Sequence, residues 1–197
     1  MPATKTRATK TRYDRVAIAI HWLTALAILA LLVMGFVMTS ARPGSPLQFS
    51  LFQWHKSVGI TVLALTVLRL GWRLSHRAPA LPDTMPGLEK LAAHLGHVGL
   101  YGLLFALPLS GWAVVSTSPF NIPTVLYGLL PWPHLEFLTA FAPKAAINPV
   151  VSEAHELAAW LLIALLVVHI AAALRHHFLI RDTVLTRMLP RFGSETR

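Results

Sequence analysis

Long apolar stretches separated by polar and charged segments dominate this chain, and four of them are long enough to cross a membrane. They cover residues 16–38, 55–74, 94–115 and 153–175, and Arg69 interrupts the second stretch near its end. An α-helix needs about 20 apolar residues to span about 30 Å of hydrocarbon. The pattern therefore predicts an all-α fold, an integral membrane four-helix bundle in which residues 1–197 form a single domain.

The composition agrees with a membrane protein, because 55% of the residues are hydrophobic and only 13% are charged. The chain has no cysteine, which excludes a covalent haem attachment site, an iron–sulfur cluster and a disulfide. The first apolar stretch follows a basic segment, as a signal sequence does. It is too long for a typical signal sequence and three more stretches follow, so we expect it to be retained as a membrane anchor.

Basic residues are concentrated in the segments before the first stretch, between the second and third, and after the fourth. They are Lys5, Arg7, Lys10, Arg12 and Arg15, then Arg73, Arg77 and Lys90, then Arg175, Arg181, Arg187, Arg191 and Arg197. The opposite side of the membrane holds only Arg42, Lys56 and Lys144. The positive-inside rule then places both termini in the cytoplasm and the two other connections outside. The net charge of +9 thus reflects membrane topology. The sequence has no stripe of aromatic and basic residues of the kind that would indicate nucleic acid binding.

The connection over residues 116–152 is predicted to be a long periplasmic loop that caps the outer face. It contains six prolines and five aromatic residues, Phe120, Tyr127, Trp132, Phe137 and Phe141. So many aromatic residues are unusual in a freely solvated linker, and we expect a short interfacial helix near residues 135–142. The first outer connection, which contains Pro43, Gly44 and Pro46, should be a short turn.

Four histidines lie near the ends of the apolar stretches. His155 and His169 are fourteen residues apart in the fourth stretch, so they share one helix face and are separated by about 21 Å along its axis. His21 lies near the inner end of the first stretch, and His55 begins the second at the outer end. A histidine inside a membrane is costly unless it has a partner. The topology pairs His21 with His169 and His55 with His155.

Each pair of imidazoles could clamp one planar macrocycle from both faces, with the second nitrogen of each ring held by a carbonyl or a side chain. If imidazole fills both axial positions, the iron has no site for a small ligand, and the chemistry is electron transfer. The sequence therefore predicts two non-covalent haem b groups. The inner haem is held by His21 and His169, and the outer haem by His55 and His155.

Other residues fit this arrangement but allow a second interpretation. Gly35 and Gly59 could let a macrocycle approach the backbone, or they could only allow close helix contact. Arg69 could bind a propionate of the inner haem, or it could reach a lipid phosphate. His94 and His97, three residues apart, could form a metal site, or His97 could replace His21, but we favour interface residues or haem neighbours.

The chain resembles the bacterial di-haem cytochrome b561 family over nearly its whole length. The matching segments are Ile20-His21-Trp22-Leu23, His55-Lys56-Ser57-Val58-Gly59, Leu68-Arg69-Leu70, Ala93-His94-Leu95-Gly96-His97, Ala154-His155-Glu156, Arg175-His176-His177 and Arg187-Met188-Leu189-Pro190. The resemblance implies four helices in a bacterial inner membrane, two b-type haems, and oxidation of superoxide on the periplasmic side with reduction of ubiquinone in the membrane. It also implies the same ligand pairs and a contact between His176 and the quinone. Without it, His176 could equally be a cation at the lipid head groups.

Three functions follow from these observations. The leading one is an oxidoreductase of the superoxide oxidase type, in which Lys56 and the other outer cations attract a small anionic donor. The second is a haem b subunit that links a periplasmic dehydrogenase to the quinone pool, with the 116–152 loop as its docking surface. The third is a haem-free transporter or metal-handling protein whose histidines bind protons or metal.

Overall fold

The computed structural model describes residues 11–140 and 142–190, and within them four long helices confirm the predicted all-α membrane fold. The helices are α1 (Arg15–Ser40), α2 (Pro46–Ser75), α3 (Gly87–Thr117) and α4 (Lys144–Arg175), and a π-helical turn (His176–Ile180) continues α4. All four are long and apolar enough to cross a bilayer. Lys5, Arg7, Lys10, Arg191, Arg197 and Phe141, used in the sequence predictions, lie outside the described residues.

Three helices, α2, α3 and α4, begin seven to nine residues before the apolar stretches within them. α2 begins at Pro46, where the Ser45 side chain accepts a hydrogen bond from the backbone N–H of Gln48. Proline is well tolerated in the first turn of a helix, because its missing N–H would have no helical partner there. α4 begins at Lys144 and contains Pro149, so the predicted loop over residues 116–152 is too long and the observed connection covers 118–143. Pro46 and Pro149 both suggested loop structure, but Pro46 is the first residue of α2 and Pro149 lies inside α4.

The centre of the bundle is a small apolar core with one buried residue from each helix. These residues are Ile28, Val62, Leu104 and Leu162. Most of the other large apolar side chains are exposed on the outside of the protein, for example Leu26, Val67 and Val168. A water-soluble protein would bury such side chains, whereas lipid solvates them at no cost. The burial pattern therefore agrees with the membrane prediction made from length and composition.

Both ends of the described chain lie at the same end of the bundle. Arg12 donates a hydrogen bond to the carbonyl of Leu189, and the indole N–H of Trp22 donates to the carbonyl of Met188 at 2.7 Å. We call this the inner end, following the orientation predicted from charge, and the opposite end the outer end. The orientation itself stays a prediction.

The connection between α3 and α4 caps the outer end, as predicted, but contains a hairpin that the sequence did not indicate. Strands β1 (Thr124–Leu126) and β2 (Leu130–Trp132) pair antiparallel. Tyr127 and Gly128 between them have φ values of 53° and 71°, the left-handed pair that a tight hairpin turn requires. The turn is fastened to α2, because the backbone N–H of Tyr127 donates to the Ser57 hydroxyl at 2.9 Å. A 3-10 helix (Glu136–Ala140) then lies inside the predicted 135–142 segment.

Candidate functional site

The outer histidine pair is formed by α2 and α4. The ring centres of His55 and His155 are 6.4 Å apart, and the ring planes are inclined at 74°. Both side chains are half-buried between the helices. The structure thus brings together the two residues that topology paired at this depth.

The tautomer of His155 follows from its contact with α3. The hydroxyl of Ser110 donates a hydrogen bond to the carbonyl of Leu107 at 3.0 Å, so its one proton is used there. The same oxygen lies 2.9 Å from Nδ1 of His155 and can only accept. When the Ser110 proton lies on the carbonyl of Leu107, the proton of His155 is on Nδ1 and the lone pair is on Nε2. A histidine that binds a metal through Nε2 commonly has its other nitrogen fixed in this way.

Glycines face both rings of the outer pair. A Cβ built on Gly111 of α3 would lie 3.1 Å from Cε1 of His155, which is closer than ordinary van der Waals contact. A Cβ on Gly35 of α1 would lie 3.7 Å from Cε1 of His55. Gly59 has open space where its Cβ would be, so it shows no such approach to the described residues. Nδ1 of His55 is buried and makes no hydrogen bond of good geometry, although the carbonyl of Leu31 lies close to that ring.

The inner end brings three histidines together rather than two. The ring centres of His21 and His169 are 6.4 Å apart with the planes inclined at 58°. His97 of α3 also approaches His169, with ring centres 5.8 Å apart and planes inclined at 68°. His97 is exposed, whereas His21 and His169 are half-buried. Both His21 and His97 therefore lie close enough to His169 to be its partner at the inner end.

Arg69 points into the bundle rather than toward the membrane surface. Its guanidinium donates to Nδ1 of His21 at 3.0 Å and lies 5.4 Å from the ring centre of Tyr101. A guanidinium can only donate, so Nδ1 of His21 must carry the lone pair in this arrangement. This geometry favours partners inside the bundle for Arg69. The second interpretation, a contact with lipid phosphate, is not favoured.

A cleft of about 80 Å³ opens beside Arg69 at the inner end. Its lining includes the basic side chains Arg69, Arg73 and Arg77 together with His97 and Tyr101. Arg69 and Arg73 lie one turn apart on α2, Arg77 follows the end of that helix, and together they give the cleft a positive potential. The cleft is therefore suited to carboxylate or phosphate groups of a ligand.

The histidine pairs can be tested against the haem that the sequence predicts. An imidazole nitrogen binds a transition metal at about 2 Å and lies about 1 Å from its ring centre, so two rings that share one metal are about 6 Å apart. The 6.4 Å separations of the His55–His155 and His21–His169 pairs agree with this value. The free Nε2 of His155 and the glycines against both outer rings also fit a planar group. The residues present therefore fit a haem at the outer pair, and the inner pair fits once Arg69 releases His21.

His176 follows α4 directly and is buried, which the sequence did not indicate. Its Nδ1 lies 2.6 Å from Oδ2 of Asp182, and its Nε2 lies 3.9 Å from Oε2 of Glu89 on α3. Neither carboxylate was a candidate site residue from sequence. Acidic residues are few in the basic inner segments, and this scarcity is the signal that could have drawn attention to them.

The remaining histidines have ordinary structural contacts. His94 donates from Nδ1 to the carbonyl of Lys90 at 2.7 Å, and His76 stacks on Trp72 with ring centres 3.9 Å apart. His177 makes an edge contact with Phe178. Among the described residues no group of three or more His, Asp or Glu side chains could hold a metal ion, so the metal site considered for His94 and His97 has no structural support.

The outer end carries basic side chains near a polar pocket of about 330 Å³. Lys56 donates to the carbonyl of Pro123 at 3.2 Å, and Lys144 donates to the Asn121 side chain. Burial lowers the pKa of His134, which lines the pocket, and the nearby cations Lys144 and Lys56 act in the same direction. The lowered pKa favours the neutral form of His134.

The chain is similar to known proteins over nearly its whole length. A family model described as prokaryotic cytochrome b561 matches residues 12–191. Cytochrome b561 homolog 2 of Escherichia coli (strain K12) is 32% identical over 188 residues, which are 95% of this chain and 96% of that protein. The probable superoxide oxidase CybB of Yersinia pestis is 30% identical, over 91% of this chain and 97% of its own length. Cytochrome b562 of Cereibacter sphaeroides is 30% identical over 90% and 94% of the two chains.

Proposed function

The chain belongs to the prokaryotic cytochrome b561 family, and from that premise we propose that it transfers electrons from superoxide at its outer end to ubiquinone at its inner end. Family membership makes it a multi-pass bacterial inner membrane protein that binds haem b and transfers electrons. The number of haems, the donor and the acceptor are our proposal. The observation that carries it is the presence of two histidine pairs with equal 6.4 Å separations.

We assign the outer haem to His55 and His155. Ser110 keeps the proton of His155 on Nδ1, which leaves Nε2 as the metal-binding atom and fixes the plane of the ring. Gly111 and Gly35 leave room beside the two rings. A haem bound at each pair supplies a centre that accepts and releases one electron.

We assign the inner haem to His21 and His169, with Arg69 as the residue that holds a propionate. Arg69 cannot keep its present hydrogen bond if His21 binds iron through Nε2, because the proton must then be on Nδ1. A propionate carboxylate is a stronger partner for a guanidinium than a neutral imidazole is. His97 is the alternative ligand at a similar separation from His169, and its greater exposure favours His21.

Superoxide as the donor is supported by charge at the outer end and by one relative. Lys56 directly follows His55 and is close to the outer connection, and Lys144 lies on the same face. Positive charge there attracts a small anion and repels a cationic donor. The relative from Yersinia pestis is named a probable superoxide oxidase, which agrees with this donor.

Ubiquinone as the acceptor is assigned to the inner end, near His176. Nδ1 of His176 donates to Asp182, so Nε2 is the atom that could donate to a quinone carbonyl. The neighbouring Phe178 and Leu179 are exposed toward lipid, from which a quinone arrives. Both termini are cytoplasmic in this proposal, so electrons move inward across the membrane.

The proposal is tested with the purified protein by two linked measurements. Superoxide added without oxygen should reduce the haem, as seen in the haem absorption spectrum, and ubiquinone added afterwards should reoxidise it. The chain alone should complete both steps. Haem that superoxide cannot reduce, or that ubiquinone cannot reoxidise, contradicts the assignment of donor or acceptor.

A second function is favoured by one observation on the outer connection. Phe120 and Leu129 have 79% and 85% of their surface exposed, and an apolar surface of this kind can dock a protein partner. The chain would then be the haem b subunit that links a periplasmic dehydrogenase to the quinone pool. Quinone reduction that needs an added dehydrogenase, with no response to superoxide, selects this function over the first.

A further inference from the structure

His176 is held between two carboxylates where the chain leaves α4. Nδ1–H donates to Oδ2 of Asp182 at 2.6 Å, and Nε2 lies 3.9 Å from Oε2 of Glu89. The exposed fraction of the side chains rises from 10% at His176 to 32% at Glu89 and 52% at Arg175, which pairs with Glu89 at 3.0 Å. Glu89 and Arg175 thus connect the buried imidazole to the aqueous phase at the inner end.

The backbone fixes this arrangement. The π-helical turn ends at Ile180, and the next residue, Arg181, has a left-handed φ of 59°. The chain then turns back so that the N–H of Asp182 donates to the carbonyl of His176. Oδ1 of Asp182 accepts from the N–H of Val184 at 2.9 Å. A left-handed conformation in a residue other than glycine is uncommon and persists only where the surroundings require it. The contact between Asp182 and His176 is therefore built into the turn.

Asp182 acts as a permanent acceptor for the ring. Burial alone would raise its pKa, but the N–H of Val184, the ring of His176 and the nearby guanidinium of Arg187 hold the pKa of Asp182 below its usual range. An ionised carboxylate can only accept, so it keeps a proton on Nδ1 and makes Nε2 the atom that gains and loses a proton. The charged groups around the ring are Asp182 and Arg187 on one side and Glu89 with Arg175 on the other.

We propose that Glu89, His176 and Asp182 form a proton relay for quinone reduction, a proposal that rests on the function assigned above. Reduction of a quinone to a quinol takes two electrons, delivered singly by two superoxide anions that become oxygen, and two protons. Nε2 of protonated His176 donates one proton to the quinone oxygen that faces it, and an O–H bond forms. Glu89 then returns a proton from water to Nε2, and the other quinone oxygen takes its proton from the aqueous phase at the inner end.

In this relay His176 is the catalytic residue and Asp182 is a positioning residue. Asp182 would act as the aspartate of a catalytic triad does, which orients the catalytic histidine and stabilises its protonated form. A purely structural ion-pair cluster that fastens the end of α4 would look similar. The two roles differ in one respect, because only the relay makes the rate of quinone reduction depend on the protonation of His176.

The experiment measures quinone-dependent reoxidation of haem in the purified holoprotein across the pH range in which imidazole titrates, in water and in heavy water. Glu89→Gln and Asp182→Asn should each slow reoxidation about tenfold or more, since general acid catalysis typically contributes at least 100-fold. Both should change the pH profile, and Asp182→Glu should restore much of the rate. Nitrogen NMR of labelled histidine should show the Nδ1–H form of His176 in the parent protein and its loss in Asp182→Asn.

Asp83→Asn is the matched control, because Asp83 is an exposed acidic residue in the same inner region. It should leave rate, pH profile and isotope effect unchanged. Unaltered rates and profiles in Glu89→Gln and Asp182→Asn, with intact haem spectra and an active parent protein, overturn the relay alone. A parent protein that does not reduce quinone overturns the proposed function and the relay with it.

Discussion

Replacing Gly111 with alanine tests whether His155 binds the outer haem. A Cβ at this position would lie 3.1 Å from Cε1, 3.5 Å from Nδ1 and 3.8 Å from Nε2 of His155. Non-bonded carbon atoms prefer separations of about 3.5–4.0 Å, so the ring must move away by a few tenths of an ångström. Ser110 opposes that movement, since its hydroxyl holds Nδ1 at 2.9 Å.

The expected cost follows from the size of this clash. Adding a methyl group to a well-packed site typically costs about 1–3 kcal/mol. The strained atoms belong to the proposed ligand, so we expect the cost to fall on the outer haem and weaken its binding about 5- to 150-fold. Alanine also stabilises a helix by about 0.5–1 kcal/mol relative to glycine, so the bundle itself should remain folded.

Haem content and redox titration measure the effect. Pyridine haemochrome analysis of the Gly111→Ala protein should give clearly fewer than the two haems per chain expected for the parent, and one redox component should shrink or shift. Gly102→Ala is the matched control, because a Cβ at Gly102 of the same helix meets no described atom within 4 Å. Two variants with the same haem content and the same potentials would refute the assignment of His155.

Three further predictions concern the ligands and the donor. His155→Ala should remove the outer redox component and His169→Ala the inner one, and loss of the same component in both would contradict two separate depths. His21→Ala should remove the inner haem while His97→Ala retains it, as judged by haem content, and the reverse result would make His97 the ligand. Lys56→Gln should slow haem reduction by superoxide and reduce its sensitivity to salt, because the Debye length falls from about 10 Å at 0.1 M to about 3 Å at 1 M; a rate indifferent to both changes contradicts electrostatic steering.

The helix boundaries illustrate where sequence reasoning fell short. The apolar stretches gave the number of helices and their type, but α4 begins nine residues before the predicted start of its span at residue 153. Proline was the misleading signal, because Pro149 suggested loop structure and lies inside the helix. The backbone of a helix can continue past the end of its apolar stretch, so hydropathy alone does not give its ends.

Several features of the site could not be obtained from the sequence. Ser110 and Gly111 carry no pattern that distinguishes them from other small residues of a membrane helix. Only the packing of α3 against α4 puts them beside His155. The contact between Asp182 and His176 likewise depends on a left-handed residue after a π-helical turn, which local propensity does not predict.

The sequence by itself determined the membrane fold and the two depths at which histidines lie, because hydrophobic length and helix pitch are local properties of the chain. Fourteen residues along one helix already put His155 and His169 on one face at opposite ends. The tertiary structure decided which groups face those rings: both His21 and His97 reach His169, and Arg69 reaches His21. That outcome depends on how each helix is rotated about its axis and packed against neighbours distant in sequence, which no local pattern specifies.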